Sequence, residues 1–175
     1  MLKRFKPLVA LAALVCAASW AQPASAQSAS IAPVSFSAEF QEELDDELGV
    51  REAETLAAML ERALAGALER RDISVSADAP VRIEAEILDA APNRPTFEQL
   101  SRNPSISYTD SISTGGASLR ATITGPGETQ REVSYRYFTP HLGAIIGLPT
   151  QWSDAGRAMQ RFARRVAEAV DEPAP

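Results

Sequence analysis

Residues 117–137 read ASLRATITGPGETQREVSYRY, and this stretch decides the architecture. Leu119, Ala121 and Ile123 alternate with Arg120, Thr122 and Thr124. That period of two sends apolar side chains to one face of a strand and polar ones to the other. Gly125, Pro126, Gly127 and Glu128 follow as turn chemistry, because proline presets one backbone dihedral and glycine tolerates positive φ. Val133, Tyr135 and Tyr137 then resume the alternation, with Glu132, Ser134 and Arg136 between them. The pattern predicts an antiparallel hairpin beginning as early as Ile112, with one face buried and one face wet.

Working outward, the period changes from two to three and four. Leu56, Met59, Leu60, Ala63, Leu64 and Ala67 form one apolar stripe, with Arg51, Glu52, Glu61, Arg62 and Glu69 mostly off it, so residues 50–70 read as an amphipathic helix. A second helix is expected over residues 151–170, with Ala155, Ala158, Met159, Phe162, Ala163, Val166 and Val170 on its buried side. Further strands are expected at residues 34–40 and 73–87, where Pro80 marks an irregularity or a sheet edge. The acidic run 41–47 reads as a connection closed by Gly49. At residues 96–102 Thr96 can cap one helical turn while Gln99 reaches back to it. No internal repeat is visible. The order of elements predicts an α+β fold: a two-layer sandwich whose antiparallel sheet carries two helices packed on one face.

The amino end has the three parts of a secretory signal. Lys3, Arg4 and Lys6 are followed by an apolar stretch from Pro7 to Trp20 and by small residues Ala24, Ser25 and Ala26. The expected organisation is a signal peptide at 1–26, a mobile leader at 27–33, one domain at 34–171 and a tail at 172–175. Lipid anchoring at Cys16 is disfavoured by Val15, since a small residue normally precedes the modified cysteine. Once the signal leaves, the net charge moves from −6 to −9, because three cations and no acids depart. The mature chain then holds no cysteine and no lysine, which excludes disulfides, thiolate catalysis, thiolate metal sites, Schiff-base chemistry and a phosphate-loop lysine. Its acidity disfavours nucleic acid as a partner.

Catalytic chemistry has little to stand on. The single histidine, His141, lies in a loop with no nucleophile elbow to serve. The acids between Glu42 and Glu47 lack the alternating ligands and internal glycine of a calcium loop. Gly115 and Gly116 open a strand rather than a helix, so they read as a bulge or a close backbone approach and not as a phosphate cradle. Glu84, Glu86 and Asp89 have no spacing that marks a hydrolase. No cofactor is expected. Two features invite an interaction surface instead: the apolar loop with Leu142, Ile145, Ile146, Leu148 and Trp152, and the basic residues Arg157, Arg161, Arg164 and Arg165 of the last helix. The loop can close one end of the sandwich or reach a protein partner or a membrane surface; the arginines can be a solvated face or dock an acidic partner or anionic head groups.

Arg51-Glu52-Ala53, Gly115-Gly116-Ala117 and Trp152-Ser153-Asp154-Ala155 running into Phe162-Ala163-Arg164-Arg165 resemble small uncharacterised envelope proteins of Gram-negative bacteria, especially alphaproteobacteria. The order of elements is also similar to the N-terminal α/β domain of TolB. The resemblance implies a periplasmic location and a non-catalytic module and carries over no functional residue; an envelope protein partner is expected for such a module. The expectation is therefore an accessory or binding module of the envelope. The alternative is a carrier of a small apolar ligand, held between the helices and the loop.

Overall fold

The computed structural model describes residues 27–145 and 147–172. The expected signal peptide, Cys16, Ile146 and the last three tail residues lie outside the described residues. The fold is α+β, with helices packed against a six-stranded sheet.

The central strand is β4, Val81–Ala91. Val81, Ile83, Ala85 and Ile87 turn inward while Arg82 and Glu84 stay exposed. A bulge at Leu88 adds one residue before Asp89 pairs with Ser118. Without it the phase would drive Asp89 under the helices; with it Asp89 faces out and Ala90 returns to the core. β5 (Gly116–Thr124) pairs antiparallel with β4 and with β6 (Gln130–Phe138), forming the expected hairpin in unbroken register. Gly127 sits at φ 74° in its turn, a value that favours glycine.

The sheet is mixed rather than antiparallel throughout. β1 (Ser28–Ile31) runs parallel to β4 on one side and to β3 (Ser74–Val75) on the other. The expected mobile leader is thus an interior strand. Its small side chains let it slip between neighbours, Ala29 is fully buried, and Ser30 Oγ donates to Val81 O at 3.2 Å. This insertion also splits the expected strand 73–87 into β3 and β4, separated by Pro80. The path of the sheet is β3-β1-β4-β5-β6, with β2 (Ser35–Phe36) pairing β4 beyond β1.

The strand expected at 34–40 stops at Phe36. Ser37 turns the chain: its N–H donates to Ile87 O at 3.0 Å, and its Oγ donates to Leu88 O at 2.9 Å and accepts from Phe40 N–H. Helix α1 (Ala38–Glu43) begins there and continues as a π-helical turn, Leu44–Leu48, so the acidic connection is helical. Phe40, Leu44 and Leu48, four apart, are buried, and the acids between them fill the wet side.

Helix α2 (Val50–Glu69) buries Leu56, Leu60, Leu64, Ala67 and Leu68; each leucine contributes about 1.5–3 kcal/mol on leaving water. The short helix α3 (Phe97–Arg102) carries the expected capping box between Thr96 and Gln99. Helix α4 (Ser153–Asp171) buries the predicted stripe and lies beside α2, over β5 and β6. The other sheet face is open, with Arg120 joined to Glu86 at 2.6 Å and Arg82 to Glu84 at 2.9 Å.

Candidate functional site: a basic groove beside a buried carboxylate

The first turn of α4 meets the ends of β4 and β6 around Asp154, whose side chain is fully buried. One oxygen, Oδ2, accepts from Asn93 Nδ2 at 2.7 Å, Thr139 Oγ1 at 2.7 Å and Gly115 N–H at 3.3 Å. Asn93 Oδ1 in turn accepts the Asp154 backbone N–H at 2.8 Å. Arg157 Nη1 stands 3.1 Å from Oδ1, near enough for an ion pair but out of line for a hydrogen bond. Burial pushes the carboxyl up. The hydrogen bonds from Thr139, Asn93 and Gly115, with the Arg157 charge, outweigh burial and hold it below the usual aspartate value. A carboxylate so engaged is a poor proton acceptor, so this cluster fastens the fold. The pair Gly115 and Gly116 serves close approach: a Cβ on Gly115 would meet Ala91 O and Asn93 Oδ1 at 2.8 Å, and one on Gly116 would meet Tyr137 O at 2.2 Å.

Next to this cluster Arg94 ties the loops. Its Nε donates to Pro149 O at 2.6 Å, its Nη1 to Tyr108 O and Thr109 O, and its guanidinium lies over the Tyr108 ring. Sequence periodicity could not reveal Asn93, Arg94 or Asp154. The available signal was weak: an acid in the first turn of a helix, where the macrodipole favours it.

The predicted loop residues separate. Leu148 is 88% exposed and Leu142 58%, while Ile145 is partly covered. Trp152 leaves the surface set. It is 5% exposed in the gap between the first turns of α2 and α4, and its Nε1 donates to Glu52 Oε2 at 2.7 Å. That placement satisfies the indole N–H while burying the ring.

The arginines of α4 separate too. Arg157 serves Asp154, whereas Arg161 and Arg165 lie over the rings of Tyr137 and Tyr135 at 5.1 and 4.7 Å. Arg164 turns toward α2. With Arg62, Arg70 and Gln160 it rims an open hollow of about 540 Å³ floored by Met59, Ala63 and Gly156. Gly156 allows this, since a Cβ there would stand 3.2 Å from Met59 Cε. Among the described residues Arg62, Arg70 and Arg164 have no ion-pair partner, and all three are exposed. Three free guanidinium forks around one hollow can hold carboxylate or phosphate oxygens in a bidentate manner.

Elsewhere, Glu84, Glu86 and Asp89 stand on the open sheet face, each beside an arginine, and His141 is exposed in its loop. Among the described residues no group of three or more His, Cys, Asp or Glu is placed to hold a metal ion, and no helix is long and apolar enough to cross a membrane.

No protein-family model matches the chain, and no curated protein matches it. Solved structures do. A minor lipoprotein from Acinetobacter baumannii is 11% identical, with 83% of this chain and 92% of that chain covered and a TM-score of 0.35. PelC from Paraburkholderia phytofirmans, a dodecamer, is 6% identical, with 85% and 88% covered and a TM-score of 0.41. A DUF330 protein from Xanthomonas campestris is 14% identical, with 85% of each chain covered and a TM-score of 0.37. TolB is not one of these three, and the likeness to its N-terminal domain stays an expectation of the sequence.

Proposed function

We propose that this chain is a non-catalytic accessory module of the cell envelope, exported to the periplasm by the segment 1–26, and that it binds an acidic segment of an envelope protein partner in the groove between α2 and α4. One observation carries this reading: Arg62, Arg70 and Arg164 converge without partners on one hollow in a chain of net charge −6. Among the described residues most other surface arginines are engaged by carboxylates, tyrosine rings or, for Arg131, backbone carbonyls. Arg51, which has no such partner, lines a different hollow, so the groove is where free cationic charge gathers for another molecule. Its Met59 and Ala63 floor adds an apolar contact for the stem of a glutamate or a flanking aliphatic residue.

A photo-crosslinking residue at Gln160, introduced in cells, tests the reading. Crosslinks to an acidic envelope protein are expected, and Arg62→Glu with Arg164→Glu should abolish them while the fold, checked by circular dichroism, is kept. Crosslinks that survive both charge reversals refute it.

A further inference from the structure

We propose that the open edge of β6 pairs antiparallel with the same edge of a second copy of this chain, about a two-fold axis through Ser134, so that two sheets become one.

The two edges of the sheet are unlike. β3 offers two residues, whereas β6 offers nine in continuous register, without proline and without a bulge. Edges of that kind are normally blunted or paired. The inner hydrogen bonds fix which backbone groups are free. Thr139 N–H donates to Gly115 O and Gly125 N–H to Thr129 O, so the odd-numbered residues of β6 are the ones bonded to β5. The N–H and C=O groups of Glu132, Ser134 and Arg136 therefore point away from the sheet, and their side chains are all exposed.

Charge selects the occupant and the register. With the axis on Ser134, Glu132 faces the partner's Arg136 and Arg136 faces the partner's Glu132, two opposite-charge cross-strand pairs on the open face. On the helix face the same register sets Tyr135 against the partner's Val133, an aromatic–β-branched pair. Moving the axis to residue 132 or 136 opposes two glutamates or two arginines, and moving it to 133 or 135 leaves no glutamate opposite an arginine: Glu132 then faces Ser134 or Phe138, and Arg136 faces Gln130 or Ser134. A strand whose charges complement its own reverse is matched to a copy of itself.

Ser134→Cys in a Cys16→Ser background tests the geometry, because residues facing each other in a hydrogen-bonded pair have Cα atoms about 5.5 Å apart, within reach of a disulfide. A disulfide-linked dimer should form under mild oxidation far faster than with Ser101→Cys, which sits on the exposed side of α3. Sedimentation of the charge variants tests the register. Glu132→Arg and Arg136→Glu should each weaken the dimer by roughly tenfold or more, since each opposes like charges twice, and the double swap should restore it. Thermal unfolding confirms that each variant is folded. A chain that sediments as a monomer at every concentration, equal oxidation of the two cysteine variants, or a double swap no better than the singles overturns the proposal.

Discussion

Replacing Asp154 tests the claim that this buried carboxylate fastens α4 to the sheet. Asp154→Ala removes the acceptor of three donors at once, from Asn93, Thr139 and Gly115. An unsatisfied buried donor costs about 1–3 kcal/mol, and water entering the vacated space would recover part of that. The net loss should be about 3–5 kcal/mol, a large share of the roughly 5–15 kcal/mol that holds a domain of this size. Asp154→Asn keeps shape and one accepting oxygen while Arg157 can turn to solvent, so about 1–2 kcal/mol is expected. Urea unfolding read by tryptophan fluorescence suits the test, because Trp20 leaves with the expected signal and Trp152 then reports from the same end of the sandwich. The sign with pH follows from the lowered carboxyl. A depressed acid stabilises fully above its unfolded value of about 3.9 and loses that contribution as pH falls through the folded value. The gap between wild type and Asp154→Asn should stay constant from neutral pH to about 5 and close in stronger acid. A loss under 1 kcal/mol for Asp154→Ala, or a gap that widens in acid, refutes the reasoning.

Deleting residues 28–31 should lower Tm by about 10 °C or more, since β1 gives up backbone pairing on both sides and the burial of Ala29; a mobile leader would leave Tm unchanged in a calorimetric scan. Gly115→Ala should cost about 1–3 kcal/mol in urea unfolding, because its Cβ would meet Ala91 O and Asn93 Oδ1 at 2.8 Å. Wild-type stability in that variant would show that the strand ends can move apart freely.

What residues 50–70, 96–102, 117–137 and 151–170 would become was legible in the chain itself, because each is written in local terms: a period of two or of three and four, a turn made of glycine and proline, a cap three residues from its partner. The α2 and α4 stripes, the hairpin and the capping box are all of this kind. Arg164 was legible as one residue of a candidate surface, but its meeting with Arg62 and Arg70 was not. Tertiary structure decided the rest. Ser28–Ile31 is a strand because β3 and β4, some 50 residues on, supply both of its partners, and its small residues carry no strong propensity of their own. Asp154 is buried because Asn93 arrives from 61 positions away with a matched donor and acceptor. The arginines of α4 part company for the same reason: helical spacing places them within about 100° of one another, and what each one meets, a carboxylate, a tyrosine ring or open groove, depends on which strand or helix packs beside it. Local sequence sets periodicity and conformational preference; pairing across the sheet and burial against a neighbour are properties of two distant segments together.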